Sequence, residues 1–181
     1  MIVCRNKESA VFNSPASRTW ETVRRLNFAE LNPSLVKSCS LLIPGKRMPS
    51  PDLSQGKVVK LEDVEYHDVP ITEEAMLPFM CTNAVGSLRQ VVYKDGAEFV
   101  FRIIEISDIS DQISFELIQT DATVNVSGVI HTLQVLDITE TRQSLIVWTT
   151  EFASDADQHV ISDSKYKKLD AFKDMRRALE K

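Results

Sequence analysis

SLRQVVYKDGAEFVFRIIEI, residues 87–106, holds two strand-like runs on either side of Lys94-Asp95-Gly96. Asp-Gly between such runs is a strong hairpin signal, because a tight reversal needs the positive φ that glycine adopts freely. Side chains alternate along a strand. Phe99, Phe101 and Ile103 therefore share one face of the second run, and Val100, Arg102 and Ile104 the other. Downstream the same texture continues. Ile113, Phe115 and Leu117 alternate with Ser114 and Glu116, the pattern of a half-buried strand. Residues 124–138 form a longer run with Gly128 as a bulge or bend, and 139–143 a turn. Residues 144–152 close the set, with Ile146, Trp148 and Phe152 on one face. Evenly spaced strands joined by short turns predict a meandering antiparallel sheet.

Ahead of this block, residues 36–43 read as a strand closed by Pro44-Gly45, and 10–12 as a short first strand. Ser14-Pro15 predicts a helix start, with the serine hydroxyl as cap and proline in the first turn. Trp20, Val23 and Leu26 recur at helical spacing, so 16–26 is expected as an amphipathic helix. Phe28, Leu31 and Leu35 mark a second short piece ended near Pro33. Behind the strands, residues 155–181 lack Gly and Pro. Leu169, Phe172, Met175 and Leu179 fall on one stripe, with Tyr166 nearby, and most lysines lie off it. An antiparallel sheet must cover its apolar face, and this terminal helix is the large apolar stripe available. The expected fold is α+β: a curved seven-stranded antiparallel sheet around a long C-terminal helix, with two short helices after the first strand.

The chain of 181 residues is expected to form one domain, 1–181. Five of its seven prolines fall in 44–84. That stretch reads as an insertion whose prolines disfavour pairing with the sheet, and as a lid over the interior. Thr72 with Glu73 and Glu74 predicts a short helix there, with Met76, Leu77, Phe79 and Met80 as its apolar face. Those side chains need cover, from the rim of an interior cavity or from a second subunit, so a homodimer stays open.

A net charge of −5 leaves no footprint for nucleic acid. The longest apolar run, 99–106, is interrupted by Arg102 and is too short to cross a bilayer, so no integral membrane segment is expected. Cys4, Cys39 and Cys81 are widely spaced and read as reduced thiols. A soluble protein of the cytoplasm is the expectation. Glu62, Asp63, Glu65, His67 and Asp68 are concentrated but lack hard-ion spacing, so neither metal nor cofactor is expected.

The order of elements resembles the helix-grip layout of the START-like superfamily, which includes the birch-pollen allergen, polyketide cyclase/dehydrase and plant abscisic-acid receptor families. Thr19-Trp20-Glu21-Thr22-Val23-Arg24-Arg25-Leu26 is similar to the receptors' Val-Trp followed by Val-Arg-Arg-Phe. Leu35-Val36-Lys37-Ser38-Cys39 resembles the start of their second strand, and Val85-Gly86-Ser87-Leu88-Arg89 their Val-Gly-Ser-hydrophobic-Arg strand. The likeness runs from about Val11 to Leu179 outside the insertion. It implies that the face carrying Phe101 and Trp148 is concave and lines a cavity for a small hydrophobic molecule such as a lipid, sterol or polyketide-like compound.

The departures bear on function. The receptors' carboxylate-holding lysine corresponds to Pro33, their gating loop to residues 94–97 and their latch to 120–123, none of which match. Two inward glutamates correspond to Phe101 and Trp148. A carboxylate-binding hormone receptor is therefore disfavoured on this alignment.

Phe99, Phe101, Ile103, Ile146, Trp148, Phe152 and Phe172 are the expected ligand-binding residues; the alternative role for them is plain packing of helix on sheet. Tyr93, beside the hairpin turn, is a donor at the cavity mouth. Arg89 and Arg102 can meet an anionic group, although an outward salt bridge is the preferred role. The face of His131 is open, because Gly128 breaks the alternation; a solvated or hydrogen-bonded strand histidine is preferred to a general base. His67 and His159 read as surface residues. No catalytic residue is assigned. Binding or transport of the apolar molecule is the first reading, a cyclase/dehydrase-like enzyme the alternative, and a protein-interaction module with a filled cavity the third.

Overall fold

The computed structural model describes residues 4–44, 66–70, 83–120 and 126–180, with backbone alone at 43–44 and 66–70. In chain order the elements are β1 (Cys4–Phe12), α1 (Ala16–Val23), α2 (Phe28–Leu31), β2 (Val36–Pro44), β3 (Tyr66–Pro70), β4 (Leu88–Tyr93), β5 (Glu98–Ser107), β6 (Gln112–Thr120), β7 (Val129–Ile138), β8 (Gln143–Phe152) and α3 (Gln158–Leu179). The strands form one antiparallel sheet in the order β1-β8-β7-β6-β5-β4-β2-β3. The seven expected strands are all present, wrapped with two short helices around one long one.

An eighth strand, β3, extends the sheet out of the stretch expected to avoid it, and corrects that expectation in part. Among the described residues it pairs with β2 alone, from Ser40 opposite Pro70 to Pro44 opposite Tyr66. At the sheet edge and at a strand end, a proline's missing N–H removes no ladder bond. The short helix expected from Thr72 lies outside the described residues.

The 94–96 hairpin forms as expected: Gly96 has φ +95°, and Tyr93 N donates to Ala97 O at 2.8 Å. Asp95 Oδ1 accepts from Ala97 N at 3.0 Å and tightens the turn. Register shifts between Val100 and Phe101 and between Ile103 and Glu105 bend β5 and curve the sheet. Across the concave face, Ile103, Phe115, His131 and Thr150 stand opposite one another on β5, β6, β7 and β8.

Two boundaries differ from expectation. β1 spans nine residues rather than three, pairing with β8 from Cys4 opposite Phe152 to Phe12 opposite Ser144. Its outer residues Arg5, Lys7 and Ser9 hide it from a propensity reading, and pairing with β8 overrides that preference. α1 ends at Val23, and its N-cap is Pro15 with no side-chain cap bond. The Ser14 hydroxyl is buried and has no hydrogen-bond partner among the described residues. Thr19 instead ties α1 to the sheet through Ser144 Oγ at 2.8 Å.

α3 starts where the Asp157 carboxylate accepts from His159 N. Its buried stripe is Lys168, Ala171, Phe172, Met175 and Leu179. Leu169, expected on it, lies on its exposed edge. At about 100° per residue, Ala171, Phe172, Met175 and Leu179 lie within about 60° of Lys168 around the helix, whereas Leu169 lies about 100° from it. Phe172 packs edge-to-face on Phe12 and Trp148, with centroids at 6.1 and 6.3 Å.

The buried Asp174 fixes α3 to the turn ahead of β2, accepting from Ser34 N at 2.7 Å and from Arg177 Nη1 at 3.3 Å. Hydrogen bonds to a charged group contribute about 1.5–3 kcal/mol. Asp174→Ala is therefore expected to cost about that much in urea unfolding, and Asp174→Asn less, since its amide oxygen still accepts. Full stability in Asp174→Ala would mean that packing alone holds the turn.

Candidate functional site

Between the concave face and α3 lies a cavity of about 400 Å³. Its deep wall is aromatic: Phe28 from α2, Phe101 from β5, Phe115 from β6, and Trp148 and Phe152 from β8. Phe101 sits at the centre of this wall, with ring centroids 5.6 Å from Phe28, 5.5 Å from Phe115 and 6.1 Å from Phe99. The exposed lining residues Asp95, His159, Asp163 and Lys167 mark the mouth, between the β4–β5 hairpin tip and the first half of α3. At the mouth Lys167 pairs with Asp163 at 2.8 Å and lies 5.6 Å from the Tyr93 ring centre.

Of the residues expected to bind a ligand, Phe99, Phe101, Trp148 and Phe152 line the cavity, as does Tyr93. Ile103, Ile146 and Phe172 face inward but are packed into the core beyond it. Burial pushes the Tyr93 hydroxyl up to about 12, so it stays a neutral donor.

Arg89 does not point outward and does not line the cavity. It is 1% exposed, on the inward face of β4, and its guanidinium bonds Ser87 Oγ at 3.4 Å and Asn83 Oδ1 at 3.2 Å. Burial lowers its affinity for a proton. The alternation of β4 decides this, since Arg89 and the buried Val91 must share a face.

His131 also faces inward. Gly128 lies just before β7, so the strand keeps its alternation and places His131 opposite Phe115 and Thr150. Its ring stacks on Phe115 at 5.0 Å, and Nδ1 shares a hydrogen bond with Thr150 Oγ1 at 2.9 Å. Desolvation, with the Lys168 charge adding to it, drives its pKa down to about 3, and the imidazole is neutral.

Lys168 is a charged lining residue that sequence reading missed. It is 2% exposed on the inner stripe of α3, and its Nζ donates to Asn6 Oδ1. Burial lowers its pKa to about 8, opposed by the Glu8 charge. A signal existed: Lys168 stands four residues before Phe172 and seven before Met175, on the stripe itself. Phe28 and Phe115 also line the cavity without having been singled out for it. Among the described residues, no cluster of His, Cys, Asp and Glu can hold a metal ion, and no helix is long and apolar enough to cross a membrane.

No family model matches the sequence, and no curated protein is similar to it by sequence. Solved structures are similar in fold. A protein from Nitrosospira multiformis superimposes with a TM-score of 0.67 at 17% identity, over 97% of this chain and 96% of its own. Major latex-like protein 151 from Panax ginseng gives 0.64 at 13% identity, over 99% of both chains. The protein XoxI from Bacillus cereus gives 0.64 at 16%, over 97% of this chain and 95% of its own.

Proposed function

From the START-like helix-grip fold of this chain, we propose that it binds or carries a small hydrophobic molecule, such as a lipid, sterol or polyketide-like compound, between the sheet and α3. One observation carries the reading. In a close-packed interior, where voids larger than a water molecule are few, an aromatic-walled cavity of about 400 Å³ opens to solvent at one end. Small-molecule sites have this make-up, about 300–1,000 Å³ of mainly apolar lining with a few polar groups.

The test uses Nile red, a neutral apolar dye, together with native mass spectrometry of the purified protein. Expected is saturable dye uptake with one site. Leu117→Trp, which fills space from the lining, should weaken it at least about tenfold, a loss of about 1.4 kcal/mol. Uptake that is unchanged in Leu117→Trp would place the dye elsewhere and overturn the reading.

The cyclase- or dehydrase-like reading stands second, favoured by the three titratable side chains of the lining that are buried or half-buried: Tyr93, His131 and Lys168. A general acid or base works best with a pKa near the operating pH. His131 near 3 and Tyr93 near 12 lie far to either side, which leaves Lys168 near 8. Binding therefore comes first.

A further inference from the structure

Lys168 sets a charge against an apolar wall, and among the described residues no carboxylate lies within ion-pair distance of it; the Glu8 charge acts on it only from farther away. Its one hydrogen bond among the described residues goes to a neutral amide, Asn6 Oδ1. An ammonium has three donors. No carboxylate of the described residues forms an ion pair with it. Glu8, on the same inward face of β1, contacts Lys165 at 3.9 Å instead. His131, from β7, is neutral and adds no negative charge. Lys167, one position along, is the contrast: it is exposed and its charge is matched by Asp163.

A buried, unmatched ammonium is costly to keep, because removal from water is repaid only by a well-placed opposite charge. We infer that the cavity's occupant is an apolar molecule bearing a carboxylate, which the Lys168 ammonium holds. Two unused donors and one positive charge match the two oxygens and single charge of a carboxylate. A dianionic phosphate would leave a charge over. The aromatic wall formed by Phe28, Phe101, Phe115 and Trp148 takes the hydrocarbon part. The cation thus comes from α3, whereas the receptors' lysine position corresponds to Pro33. This inference rests on the reading of the cavity as an apolar-ligand site.

The experiment is displacement of Nile red at pH 7 by dodecanoate and by its neutral methyl ester, both below their aggregation limits. A charge-assisted bond is about twice as strong as a neutral one. Wild type is therefore expected to bind the acid roughly tenfold or more tighter than the ester. Lys168→Met should equalise the two, and Lys173→Met, at a lysine of α3 outside the lining that pairs with Asp170, should keep the preference. Lys168→Gln, which retains a donor without the charge, serves if the methionine variant does not fold, and should equalise them too. Equal binding of acid and ester by wild type, or a preference that survives loss of the Lys168 charge, overturns this inference and leaves the cavity reading standing. Failure of wild type to take up dye, acid or ester overturns both.

Discussion

Phe101→Ala is expected to lower stability by about 3–5 kcal/mol, the range for truncating a buried phenylalanine. Phe101 is 4% exposed and is the hub of the aromatic wall, in contact with Phe28, Phe99, Phe115 and His131. Each such ring pair adds about 0.5–1.5 kcal/mol beyond area burial, so the loss belongs near the top of the range. The space left would join the existing cavity rather than collapse, since the β5 backbone on one side and α2 on the other are fixed by their own hydrogen bonds. Phe101→Leu, which keeps most of the volume, should cost less than half as much. Urea unfolding with an unchanged slope measures both. A loss below about 1 kcal/mol in Phe101→Ala would mean that the wall does not bear on the fold.

Acid should weaken the fold through His131. In the unfolded chain this histidine takes a proton near its ordinary value of 6.5, and in the folded chain only near 3. Below 6.5 the unfolded state therefore binds a proton that the folded state refuses. The stability His131 allows is complete above pH 6.5 and is lost as pH falls toward 3. At about 1.36 kcal/mol per unit, the loss between pH 7 and pH 4 comes to about 3 kcal/mol. Carboxylates titrate in the same range, so the useful measurement is the difference between wild type and His131→Gln. The glutamine can keep a hydrogen bond to Thr150 and carries no titrating group. The stability of wild type relative to His131→Gln should fall by about 3 kcal/mol between pH 7 and pH 4 in urea unfolding. A difference that does not move with pH would show that the folded protein protonates His131 freely. Lys168 lies close enough to disfavour the imidazolium, and Lys168→Met should reduce the slope.

The meander was legible because its signals are local. Asp95-Gly96 sets one reversal, and the alternation of Phe99, Phe101 and Ile103, like that of Ile146, Trp148 and Phe152, sets which side chains share a face. Hydrophobic periodicity likewise marked α3, and the order of elements pointed to the helix-grip layout. Such patterns depend on neighbours two to four residues apart, and each is written within its own segment.

What needed the tertiary structure depends on distant partners. β1 is a strand of nine residues because β8 offers it an edge, and β3 pairs where prolines argued against it because it lies at the outer edge of β2. The face of His131 turned on whether Gly128 fell inside β7 or before it, which the ladder to β6 and β8 decides. Arg89 was read as outward because arginine is rarely buried; Asn83 and Ser87 receive it inside. Lys168 was read with the lysines that lie off the apolar stripe of α3, and its place on that stripe was missed. By itself the sequence determined the strands, the long helix and the aromatic face they share. Only the packing of α3 across β1 and β8 decided that a cavity remains there and that a lysine is turned toward it, because the rotation of a helix about its axis is settled by the surface it meets.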